Sequence, residues 1–145
     1  MDKGLAVLIM AVVGGFIALQ APINAGLGKA TGGFAAALVS FLIGTLFLAE
    51  IVILRGKADG LGEAANVEWY YLLGGVLGAA YVFSALALVG EIGAGGVAAA
   101  TVTGQLTTSV LVDRLGVFGL EQTSLTWERL LGVALLLVGT YLVVR

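Results

Sequence analysis

Residues 4–27 read GLAVLIMAVVGGFIALQAPINAGL, a stretch from Gly4 to Leu27 without a single charge. Crossing a bilayer takes about 20 residues of helix, so this stretch is long enough to span one. Four further apolar runs follow: Gly33 to Leu54, Trp69 to Val89, Ile92 to Val112, and Leu130 to Val144. The last is the shortest. Trp127 and Arg145 bracket it as an interfacial span, which extends it back to Arg129. In lipid every backbone polar group must be satisfied within the protein, so runs of this kind are expected to be helices. The alternating segments of about ten residues that build a membrane β-barrel are absent. The fold class that follows is an all-α integral membrane protein: five transmembrane helices in one domain over residues 1–145. An odd span count puts the two chain ends on opposite sides of the membrane.

Composition agrees. Of 145 residues, 60% are hydrophobic and 11% charged, and the mean hydropathy is +1.10. A soluble domain is closer to half apolar and about a quarter charged. The loops and tails left over by five spans are too short for an extramembrane domain. Cysteine and histidine are absent, which excludes disulfides, thiolate nucleophiles and His-based metal sites or catalysis. No nucleophile–base pair or metal cluster is visible, so an enzyme is not expected, nor is a cofactor. No basic cluster suggests nucleic acid. The first run is not expected to be a cleaved signal, because Ala18-Leu19-Gln20-Ala21-Pro22 is a poor small-residue cleavage site and four more runs follow.

Charge sets the expected orientation. With five spans, the side holding the N-terminus receives Lys3, Arg55, Lys57, Arg114 and Arg129, and the other receives Lys29 and Arg145. The positive-inside rule then places the N-terminus in the cytoplasm. Tight turns are expected at 28–32 and at Gly90-Glu91-Ile92-Gly93, and longer polar connections at 55–68 and 113–128. In the last of these, Phe118 and Leu120 suggest an interfacial or re-entrant stretch. Trp69, Tyr70, Tyr71 and Trp127 fall at span boundaries, where amphipathic rings anchor.

Glycine is abundant, with 23 residues against one proline. Between helices in lipid, close approach through small residues does the packing. Gly74 and Gly78 are expected to pack within one protomer, while Gly132 and Gly139, a heptad apart on a mainly Leu and Val helix, form the better dimer face.

Polar groups inside a span cost free energy unless paired, so they mark pathways or helix contacts. Gln20 and Asn24 share a face of the first helix. Pro22 lies between them and cannot donate to the Ala18 carbonyl, which predicts a kink. Amides and a freed carbonyl suit a neutral or cationic polar solute; they equally suit cross-links between helices. The fourth run carries Thr101, Thr103, Gln105, Thr107, Thr108 and Ser109. Thr and Ser can bond their own backbone, so Gln105 is the more telling residue. Tyr81 and Ser84 share a face of the third run. Glu50 is placed to snorkel or pair with Arg55, and Asp113 with Arg114 to pair or cap helix ends; Glu50 and Asp113 are also the candidates for ion coupling. No carboxylate sits at a helix centre.

Taken in order, Gln20 to Gly28 (QAPINAGLG), Leu73 to Tyr81 (LGGVLGAAY), Thr103 to Leu106 (TGQL), Val112 to Gly116 (VDRLG) and Glu128 to Val133 (ERLLGV) resemble the YdcZ-type family of the drug/metabolite transporter superfamily. The resemblance covers nearly the whole chain. It implies a five-helix unit like one half of a ten-helix EamA-type transporter, set in the bacterial inner membrane. It also implies a partner of opposite orientation, either a second copy or a paralogue, and export of a small-molecule substrate. Carried over by position, the motif residues are Gln20, Asn24, Tyr81, Gln105 and Asp113. The five-to-two charge bias departs from the near-even balance of a dual-topology chain. The expected function is a secondary transporter subunit, with Gln20, Asn24, Tyr81, Ser84 and Gln105 lining a substrate cavity. The rival readings are a small dual-topology channel and a non-transporting membrane subunit.

Overall fold

A computed structural model of the chain describes residues 2–118 and 120–145. All regular structure among them is helical. The main helices are α1 (Lys3–Thr31), α2 (Gly33–Leu54), α4 (Leu73–Leu115) and α5 (Trp127–Val144), with a short α3 (Asp59–Glu63) in the connection between α2 and α4. Single 3₁₀ turns at Ala64–Asn66 and Trp69–Leu72 complete that connection, the second carrying the exposed Trp69, Tyr70 and Tyr71. Four helices of the described residues are long and apolar enough to cross a membrane: Lys3–Thr31, Gly33–Leu54, Trp69–Leu115 and Trp127–Val144.

The third of these is 47 residues long and contains both the third and the fourth apolar runs. The turn expected at Gly90–Gly93 is narrower in the structure: the backbone leaves helical geometry at Gly93, with φ 72° and ψ 165°. Gly32, the residue between α1 and α2, has nearly the same conformation, φ 84° and ψ 152°. Both lie in the left-handed region that glycine enters without a Cβ clash.

Helix ends follow local sequence. Gly56 (φ 59°) ends α2 as its amide reaches the Ile53 carbonyl and the Lys57 amide reaches the Val52 carbonyl, each at 3.0 Å. That pairing is a Schellman closure, and Arg55 and Lys57 complement the negative end of the helix. Gly116 (φ 62°) ends α4 with one bond from its amide to the Val112 carbonyl, 3.0 Å. Thr126 opens α5, its Oγ1 accepting from the Arg129 amide at 3.4 Å.

The chain forms two compact units. The central unit is Gln20–Ala87; the terminal unit joins Met1–Leu19 to Leu88–Arg145. α1 runs unbroken through Pro22, and the division falls within it, between Leu19 and Gln20.

In the central unit, Ala36, Ala37, Val82 and Leu86 are buried, with Ala25, Leu27, Phe41, Tyr81 and Phe83 packed around them. Small residues let the backbones approach closely. A Cβ on Gly33 would stand 3.3 Å from Leu86 Cδ1 and from Phe83 Cε2. One on Gly78 would stand 3.4 Å from Phe41 Cζ, so this half of the Gly74–Gly78 pair packs within the chain. Phe34 stacks on Phe83 with ring centroids 4.2 Å apart.

The terminal unit is held differently. Residues 94–115 of α4 meet α5 through small residues at one end, where Gly95 and Gly96 lie under Val143 and Val144. A hydroxyl clasp joins the middle. Thr103 Oγ1 and Thr140 Oγ1 are 2.6 Å apart, and Thr140 donates to the Ala99 carbonyl at 3.0 Å. Thr103 also has the Leu136 carbonyl within 3.3 Å.

Candidate functional site

The terminal unit carries a groove of about 450 Å³ lined by Gly104, Gln105, Thr108, Ser109, Val112, Asp113 and Leu120. The spacing 105, 108, 109, 112 places these residues on one face of α4, because residues three, four and seven apart stack along a helix. Gln105, Thr108 and Ser109 are exposed. They bring amide and hydroxyl groups to one face of a largely apolar helix, with Asp113 in its last turn.

The connection after α4 forms the floor. Gly116 turns the chain, and the Thr123 amide donates to the Asp113 carbonyl at 2.9 Å. The Gln122 side-chain amide donates to the Leu115 carbonyl at 3.3 Å. These bonds satisfy carbonyls that the helix end leaves without an internal donor. Leu120 lines the groove beside them. The Asp113 carboxylate does not pair with Arg114. Its Oδ2 accepts from Arg129 Nη1 of α5 at 3.2 Å, with both side chains about one-third exposed.

The hydroxyls on the rest of α4 have structural duties. Thr107 donates to the Thr103 carbonyl one turn back at 2.8 Å, the backbone bonding expected of such residues. Thr103 is consumed by the clasp to Thr140, a partner that reading α5 as a Leu and Val helix passed over.

Of the residues named from sequence, Gln105 and Asp113 share the groove. Gln20, Asn24, Tyr81 and Ser84 belong to the central unit. There Asn24 is 5% exposed, and its Nδ2 has no hydrogen-bond partner. Leaving a buried donor unsatisfied costs about 1–3 kcal/mol. Gln20 and Tyr81 are half-buried, Tyr81 against the alanine core, and Ser84 is exposed. Glu50 is exposed on α2, and the ion pair formed among the described residues is Asp113–Arg129, not Glu50–Arg55. Thr108, Ser109 and Arg129 join the site from the structure. Helical periodicity from Gln105 was the signal for the first two, whereas nothing local marks Arg129.

The family described as "Putative inner membrane exporter, YdcZ" matches residues 5–142. Inner membrane protein YdcZ of Escherichia coli (strain K12) is 30% identical over 111 residues, covering 76% of this chain and 74% of that protein. No solved structure matches the chain significantly.

Proposed function

The chain belongs to the family described as "Putative inner membrane exporter, YdcZ", and from that premise we propose that it is one subunit of a secondary exporter for a small molecule. The observation that carries this reading is the groove from Gln105 to Asp113. Unpaired polar groups on a lipid-spanning helix are costly, and here several converge on one hollow large enough for a small ligand.

The proposed topology is five crossings. A straight helix over Leu73–Leu115 would be about 65 Å long at 1.5 Å per residue, against a hydrocarbon core of about 30 Å. Gly93 divides it into residues 73–92 and 94–115, each about one crossing long. The conformation that Gly93 shares with Gly32, the link between α1 and α2, supports a second tight turn there. Five crossings and the five-to-two bias of Lys and Arg then favour a cytoplasmic N-terminus.

A single five-helix unit is half of the inverted-repeat architecture by which many transporters alternate access. We therefore assign it an antiparallel partner, a second copy or a paralogue. The face of Gly132 and Gly139, whose added Cβ atoms would meet nothing within 4 Å, is the candidate seam. In this reading Gln105 contacts substrate in the groove, Gln20, Asn24, Tyr81 and Ser84 are the polar candidates of the central unit by themselves, and Asp113 carries the coupling charge in preference to the exposed Glu50.

Concentrative transport in proteoliposomes tests the proposal and separates it from a passive channel, which cannot move solute against a gradient. Gln105→Leu is expected to abolish that transport at normal protein level; unchanged transport removes Gln105 from the path. Tags on both termini test the topology. A mixed population supports a homodimer of inverted copies, and a single orientation requires a paralogue.

A further inference from the structure

We infer that the Asp113 end of the groove is a site for an organic cation, and that Arg129 is a tethered cation holding that site between loads. The inference rests on reading the groove as part of the export path.

Asp113 lies in the last turn of α4 and Arg129 in the first turn of α5. The C-terminal end of a helix carries partial negative charge and the N-terminal end partial positive charge. Each residue therefore sits at the end of its own helix that disfavours its charge. At Asp113 the carboxylate and the helix end add; Arg114 in the same turn opposes them but does not line the groove, so the charge presented to the groove itself is negative and suits a cation. Arg129 answers that field from across the connection.

The pair is built to open. It is a single contact at 3.2 Å between Nη1 and Oδ2, not a two-bonded fork, and both partners are about one-third exposed. Exposed pairs of this kind are weak. An incoming cation with an apolar body gains what a guanidinium from α5 does not: contact with Val112 and Leu120. Gln105, Thr108 and Ser109 remain above it to read polar substituents. Displacement of Arg129 would release α5 from the end of α4, linking occupancy of the groove to the junction of two helices.

The test is equilibrium binding of tetraphenylphosphonium to the purified full chain in detergent, with tetraphenylborate as the anion of the same shape. Asp113→Asn is expected to weaken tetraphenylphosphonium by about tenfold or more. Arg129→Gln is expected to tighten it about threefold, as loss of a weak internal competitor should. Arg129→Lys should stay near wild type, and tetraphenylborate should show none of these changes. In the unaltered chain, phenylglyoxal modification of Arg129, mapped by mass spectrometry, should speed up as tetraphenylphosphonium is added, while that of Arg55 stays constant. Binding indifferent to Asp113→Asn overturns the cation site. Weaker or equal binding in Arg129→Gln, or unchanged or slower modification of Arg129, overturns the displacement and leaves the pair as a fastening of the loop. Binding needs no transport, so a failure here is distinguishable from a failure of the export reading, which only flux reports.

Discussion

The central and terminal units are made of similar apolar helix but are joined by different forces. The central unit closes on alanine, with Ala36 fully buried and aromatic rings packed over glycine. Its one deeply buried amide, Asn24, has a donor without a partner. The terminal unit closes on polar bonds, the Thr103–Thr140 clasp and the Asp113–Arg129 pair, and keeps its unpaired polar groups in an open groove. In lipid the hydrophobic effect supplies little attraction between helices, so steric fit and hydrogen bonds are the available means. Each unit relies mainly on one of them. Motion is therefore easier in the terminal unit: an ion pair and hydroxyls can exchange partners, while a close-packed alanine contact cannot swell without strain.

The largest effect is expected at the alanine core. Ala36→Leu should overpack the central core and cost about 1–3 kcal/mol, read as a lower midpoint of denaturant unfolding followed by helical circular dichroism. An unchanged midpoint would mean that the alanine contact is not close-packed. Next is Asn24→Leu, for which the expected sign is reversed. Removing an unsatisfied buried donor should stabilise the folded chain by about 1 kcal/mol while lowering export. Destabilisation in the same unfolding measurement would give Asn24 a structural partner and remove it from the path. The smallest effect is expected at Thr140→Val, about 0.6 kcal/mol, because Thr103 keeps the Leu136 carbonyl as an alternative acceptor. A loss several times larger would make the clasp the main fastening of α4 to α5 and the terminal unit as rigid as the central one.

Much of this was legible along the chain. The apolar runs mark the helices, and the turns expected at 28–32 and 90–93 contain Gly32 and Gly93, where the backbone departs from them; Gly56 and Gly116, which end α2 and α4, did not stand out among the other glycines. Gln105 stood out because an amide, unlike a threonine, does not readily satisfy itself on its own helix. The partner of Asp113 was not legible, since Arg129 is 16 residues away across an irregular connection and Arg114 lies next door. Nor was Thr140, whose duty depends on which face of α5 meets α4. Sequence showed Asn24 as one of two equivalent amides on α1; burial separated it from Gln20.

The length of the apolar runs already makes the chain helical and suited to lipid, because without the alternating segments of a barrel such stretches satisfy their backbones there as helices. Motif order along the chain determined the family. Helix packing selects which polar groups are consumed in holding helices together and which stay available in a groove. Pairing depends on the rotation and depth of each helix against its neighbour, and residue spacing within one helix does not encode either.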